Sequence, residues 1–224
     1  MKNVFLIGSC RIHRPFNCDY FKKNHKDGKY KLYNCLNTLW FQKYFLGSLY
    51  ESNYIIQILK WLTEREIKSK ENINVKPPQH KIDEKQFLEL CDALMEADII
   101  IIEIATIKYF IKDNIYLSNE HINYLGITPT ESGKLNKDEL INNITQIEKL
   151  VHDIGKKVLF ISHFNYEQIP NRTLIIESLR TTAKHFFDPT CVITSNSKLQ
   201  DKNHYTVDTE AEIMEEIHNK LSIM

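Results

Sequence analysis

Apolar and polar positions alternate along this chain in blocks that switch between two periods. Val4-Phe5-Leu6-Ile7 is a continuous apolar run that breaks at Gly8-Ser9, the pattern of a buried strand. Lys31–Tyr33 predicts a second, weaker strand. From Tyr54 to Ile67 the apolar residues Ile55, Ile58, Leu59 and Leu62 recur at helical spacing. Residues 68–81, with Pro77-Pro78, predict an exposed loop. Asp83 and Gln86 form a capping box with Ile82 and Phe87 as staple, so a helix should begin there. It leads into Ile99-Ile100-Ile101-Ile102, β-branched throughout, as a central parallel strand covered on both faces requires.

Residues 107–135 are mixed in pattern and predict an insertion over the site. Asn136 and Glu139 repeat the capping box, with Leu135 and Leu140 as staple. That helix should run to about His152 and stop at Gly155. Val158–Ile161 predicts a further buried strand, Thr173–Lys184 a helix, Cys191–Thr194 a short edge strand and Thr209–Leu221 a terminal helix. Asp188-Pro189-Thr190 predicts a turn. Strands separated by helices imply one α/β domain over residues 1–224 with a mostly parallel sheet and right-handed crossovers. In a flavodoxin-like order (2-1-3-4-5) ligands sit beyond the carboxyl ends of the strands, between the first and third. Ser9 falls there.

Composition adds boundaries. A chain of 224 residues suits one well-buried α/β domain. Lys+Arg and Asp+Glu balance at 29 each, which excludes a global field drawing the protein to nucleic acid or an anionic membrane. Five cysteines form no CxxC and no zinc spacing. The odd count, and a first strand starting near residue 3, predict reduced thiols, no signal peptide and a cytoplasmic location. No apolar run is long enough to span a bilayer. The oligomeric state is not legible.

Chemistry concentrates at the two ends. A serine hydroxyl needs a base to remove its proton, and the attacked carbonyl needs hydrogen-bond donors. Asp201 and His204 in Asp-Lys-Asn-His offer a carboxylate and an imidazole that one turn can aim at Ser9. Taken alone, the same four residues are a polar turn whose aspartate satisfies backbone donors. The amides of Ser9 and Cys10 are expected in an oxyanion hole, after the tight turn that Gly8 permits. Cys10 is the rival nucleophile, but the residue after the turn faces away. Arg11 and His13 open a helix where positive charge and free amides suit a carboxylate, sulfate or phosphate. Glu103, in an otherwise apolar strand, must be paired, with Lys108 or Arg11. His163 and Asn165 end the next strand and line the crevice. Trp40, Phe41, Tyr44 and Phe45 crowd one segment as core, lid or a platform for sugar rings. No metal is implied, since Asp-x-x-His supplies too few ligands, and no phosphate loop follows the first strand, so no cofactor is expected.

Gly8-Ser9 at the end of the first strand and Asp201-x-x-His204 before the last helix resemble the first and last blocks of the SGNH/GDSL hydrolase superfamily. Gly-Ser-Cys-Arg-Ile-His-Arg-Pro and Asp-Lys-Asn-His-Tyr-Thr resemble its divergent Gly-Ser-Cys branches, some associated with polysaccharide biosynthesis or modification. The resemblance implies a flavodoxin-like three-layer α/β/α sandwich, with Ser9 as nucleophile, His204 as base and Asp201 as its orienter. It implies an esterase or acyl transferase acting on a small-molecule or glycan substrate. The superfamily's Gly-x-Asn-Asp after the third strand is missing. Glu103-Ile104-Ala105-Thr106-Ile107-Lys108 stands there, leaving Thr106 or Lys108 as the second oxyanion donor. Gly47 is the candidate for the second block's glycine. The rival reading is a relative of the same fold that binds a small anionic or nucleotide-like ligand through Arg11, His13 and Lys108.

Overall fold

The computed structural model describes residues 2–17, 30–34, 51–66, 84–119, 122 and 126–224. The predicted loop at 68–81, Gly47, the aromatic cluster at 40–45 and the Asp83 cap lie outside the described residues. Five strands, β1 (Lys2–Ile7), β2 (Tyr30–Asn34), β3 (Ile99–Ile104), β7 (Lys157–Ser162) and β8 (Phe186–Phe187), form one sheet in the order β2-β1-β3-β7-β8. Every neighbouring pair in it is parallel.

The strands' alternate residues divide the core between two faces. Phe5, Ile7, Ile100, Ile102, Ile104 and Phe160 pack with α2 (Ser52–Glu64), α3 (Glu84–Glu96), α4 (Lys137–Asp153) and α5 (Pro170–Thr182). Val4, Leu6, Ile99, Ile101, Leu159 and Ile161 pack with α1 (Cys10–Asn17) and α6 (Val207–Ile223). This two-sided cover explains why the strands are apolar runs rather than alternations. No helix among the described residues is long and apolar enough to cross a membrane.

Local signals place most helix ends. The Asn136–Glu139 capping box is present in both directions, and Gly155 follows the helix with φ 72°, the left-handed position glycine tolerates best. Helix α2 starts earlier than its apolar spacing predicts, because the Glu51 carboxylate caps it, accepting from the Asn53 and Tyr54 amides. Helix α5 starts at Pro170, whose fixed φ suits a first turn.

One expectation needs correction. Cys191–Thr194 is not the edge strand. The Asp188 side chain accepts from Thr190 N–H and folds Pro189–Cys191 into a 3₁₀ turn, so the ladder with Phe160 and Ile161 is made instead by Phe186-Phe187. The segment 107–135 has regular structure of its own: β4 (Lys108–Lys112), β5 (Ile115–Leu117) and β6 (Glu131–Lys134) form an antiparallel sheet in the order β5-β4-β6. It leans on α2, where the Gln57 side chain donates to Tyr116 O at 3.1 Å and accepts from Tyr116 N at 3.0 Å.

Candidate functional site

Strand β1 delivers the chain to Gly8, whose φ is 158°. A Cβ there would lie 2.7 Å from Glu103 Cβ and 2.7 Å from Ile12 Cδ1, so only glycine lets the turn pass β3 this closely. Ser9 then caps α1: its Oγ accepts from Arg11 N–H at 3.3 Å. The Ser9 N–H points inward and donates to Glu103 Oε2 at 2.7 Å. Arg11 Nε donates to the other oxygen of the same carboxylate at 2.6 Å. Glu103 is fully buried, and these two donors explain how an all-isoleucine strand tolerates it.

Of the two partners considered for Glu103, Arg11 is the one observed. Lys108 lies on the surface at the start of β4. The expectation that the Ser9 amide helps form an oxyanion hole is corrected: a buried internal carboxylate already occupies it. The side chains of Cys10 and His13 lie outside the described residues.

At the other end, β9 (Leu199–Asp201) and β10 (His204–Tyr205) make a hairpin in which Asp201 pairs directly with His204. A two-residue connection sets positions i and i+3 opposite each other, with side chains on one face. Hence the Asp-x-x-His spacing. Asp201 Oδ2 lies 2.7 Å from His204 Nδ1, while Oδ1 also accepts from the backbone N–H of Asn203 at 2.7 Å. The aspartate thus serves the turn and the imidazole together. The Asn203 amide first, and then the His204 ring, hold its carboxyl below the ordinary carboxylate range. With Nδ1 donating to Asp201, the imidazole keeps Nε2 as its basic nitrogen.

Contacts from α1 and β7 gather the hairpin to the carboxyl end of the sheet. Arg14 reaches Gln200 Oε1 at 3.3 Å and Glu210 Oε1 of α6 at 2.7 Å. The His163 Nδ1 donates to the carbonyl of Phe164 at 2.9 Å, and the Phe164 ring packs against Tyr205 of β10 with centroids 5.3 Å apart. The chain's two ends therefore converge. No hydrogen bond joins Ser9 to His204: the hydroxyl serves the α1 cap, and the ring serves Asp201.

The remaining expected residues divide. Burial, with the charges of Arg11 and Arg172, pushes His163 down to about 2, so it is a neutral positioning group rather than a base. Asn165 is consumed by its loop, with Nδ2 donating to Thr173 Oγ1 at 2.8 Å and Oδ1 accepting from Ile169 N–H at 2.7 Å. Thr106 Oγ1 accepts from Lys108 N–H at 3.1 Å, and none of the Ser9 hydrogen bonds goes to either residue. Glu51 was missed. It bridges Thr106 at the end of β3 and is 4% exposed. Burial raises it to about 7 against the pull of the Asn53 and Tyr54 amides. Its sequence signal is an acid just ahead of Ser52-Asn53, at the cap position of an apolar helix. Among the described residues no group of three or more His, Cys, Asp or Glu could hold a metal ion.

A family model described as the TviD N-terminal domain matches residues 2–128, more than half of the chain. The chain belongs to the TviD N-terminal domain family. The matched span contains Ser9, Arg11, Glu51 and Glu103, the buried part of the site, and ends before the Asp201–His204 hairpin. No curated protein matches the chain.

Proposed function

We propose that this chain is an SGNH-like serine hydrolase or acyl transferase acting on an O-acyl ester carried by a small molecule or a glycan. The strand order β2-β1-β3-β7-β8 with helices on both faces supports a flavodoxin-like sandwich, whose crevice lies at the carboxyl ends of the strands. One observation carries the reading. The Asp201–His204 pair, oriented through Nδ1, stands on a hairpin tied to the helix that Ser9 caps.

In the reaction His204 Nε2 takes the Ser9 proton as Oγ attacks the acyl carbon. The tetrahedral adduct collapses to an acyl-enzyme, and the alcohol leaves with the proton from His204. Water or a sugar hydroxyl then repeats the sequence and regenerates Ser9. The Ser9 hydroxyl must exchange its bond to Arg11 N–H for one to His204, a tightening that substrate binding can drive in a site loose when empty. Replacing Ser9 by Ala should abolish turnover of p-nitrophenyl acetate while circular dichroism stays unchanged; turnover at the wild-type rate would refute the nucleophile.

A second reading is favoured by the Ser9 amide itself. With that donor engaged by Glu103, the turn has no Ser9 amide to offer an oxyanion, and the chain becomes an SGNH-fold protein that binds a small anionic or nucleotide-like ligand without hydrolysis. An Arg11-dependent rise in melting temperature with such a ligand, in a protein inert to p-nitrophenyl acetate, would select it.

A further inference from the structure

At the amino end of the sheet, opposite the crevice, α4, β7 and the segment before β8 enclose a cleft of about 520 Å³. Its walls carry Lys149, Lys156, Lys157, Lys184, His152 and His185, with Glu148 as the acidic side chain among them. Part of this charge is already engaged. Lys149 pairs with Asp153 at 2.5 Å, Lys156 donates to Met95 O at 2.6 Å, and Glu148 Oε1 accepts from Lys184 N–H at 2.8 Å.

Lys157 and Lys184 are exposed, and no ion pair joins either to a carboxylate among the described residues. Their ammonium groups bear on His185 together with Lys220, and only Glu148 opposes them. In a chain whose total charge is zero, such crowding of one sign is a local field that focuses anions. The cleft also has an apolar side, made by Val158, Ile223 and Met224, and Ile223 is 79% exposed.

We infer that this cleft binds a phosphate-bearing ligand, with Lys157 and Lys184 holding the phosphate dianion and Val158, Ile223 and Met224 taking an apolar part. Lysine ammonium groups suit phosphate as point charges on flexible stems. The site is remote from Ser9, so it is independent of the proposed reaction. A free phosphate ester and a lipid headgroup present the same chemistry, and the two sources separate by experiment.

Inorganic pyrophosphate is titrated into the full chain by calorimetry, and sedimentation is run with vesicles of phosphatidic acid in phosphatidylcholine. The Lys157→Ala/Lys184→Ala double variant is compared in both, with its fold checked by circular dichroism. Saturable binding in either arm, weakened at least tenfold in the double variant and retained in Ser9→Ala, supports the site and names its source. The His185 ring resonances should also titrate at higher pH when the anion is bound, because it offsets the lysines. No binding in either arm, or binding that the double variant leaves unchanged, overturns it.

Discussion

The two halves of the proposed catalytic group are built in opposite ways. Ser9 is 4% exposed and its turn is interlocked: glycine against β3, amide on Glu103, hydroxyl on the α1 cap. The Asp201–His204 pair stands half-exposed on a short hairpin and depends on little beyond its own turn. One end is a piece of the core that presents a hydroxyl. The other is a local device brought to it by Arg14 and by the packing of Phe164 on Tyr205. Substitutions at the groups that anchor the first should therefore register as stability, and substitutions at the second as activity.

The sharpest break in that contrast is His204→Ala. It should lower kcat/KM for p-nitrophenyl acetate by about 10³ or more, the usual cost of losing the base of such a group. Urea midpoints should barely move, because exposed ion pairs contribute only about 0–1 kcal/mol. A large stability loss would mean that the hairpin is structural.

Glu103→Gln tests the buried end. It leaves Arg11 without its carboxylate, and breaking a buried pair this way costs about 3–5 kcal/mol. Chemical denaturation should show that loss; a shift below about 1 kcal/mol would mean that Glu103 is not the anchor of the turn.

Next in size is a pair of opposed pH effects. Glu51 is raised from 4.5 to about 7, so between those values the folded chain keeps a proton the unfolded chain has lost. Its contribution is fully present below pH 4.5 and falls by about 3 kcal/mol as pH rises to 7. His163 is lowered from 6.5 to about 2. Its contribution is present above pH 6.5 and declines by about 1.4 kcal/mol per unit as pH falls. Between pH 4.5 and 6.5 the two slopes cancel. Glu51→Gln should expose an acid-sensitive rise over that window and His163→Asn a decline, read by urea unfolding at half-unit steps. If both variants keep the wild-type slope, the two groups are not set as described.

The smallest effect concerns Ser9 as a cap. Ser9→Ala removes the acceptor for Arg11 N–H, worth about 1 kcal/mol, while Ser9→Asn should recover most of that stability and none of the activity. Stability lost equally in both variants would assign the loss to packing.

Much of this architecture is legible in the chain. Continuous apolar strands announced a sheet covered on both faces, and the Asn136–Glu139 capping box marked α4 to the residue. The Asp201–His204 contact follows from a spacing of three, because a two-residue hairpin connection leaves little freedom. What escaped reading depends on contacts distant in sequence. Glu103 takes the Ser9 amide across 94 residues, and nothing local distinguishes an amide that is free from one that is taken. Glu51 is legible as an acid at a helix cap, but its burial arises only when α2 and the end of β3 close around it. The edge strand was misplaced because Cys191–Thr194 has the composition of a strand, while the Asp188 cap just ahead of it reverses the chain.

The central claim is that an early hydroxyl is activated by a late imidazole, and covalent labelling tests it most directly. The folded protein is treated with a fluorophosphonate and digested, and the adduct is located by mass spectrometry. The account predicts phosphonylation at Ser9 that drops at least a hundredfold in His204→Ala. An unlabelled Ser9, or labelling indifferent to His204, would contradict it.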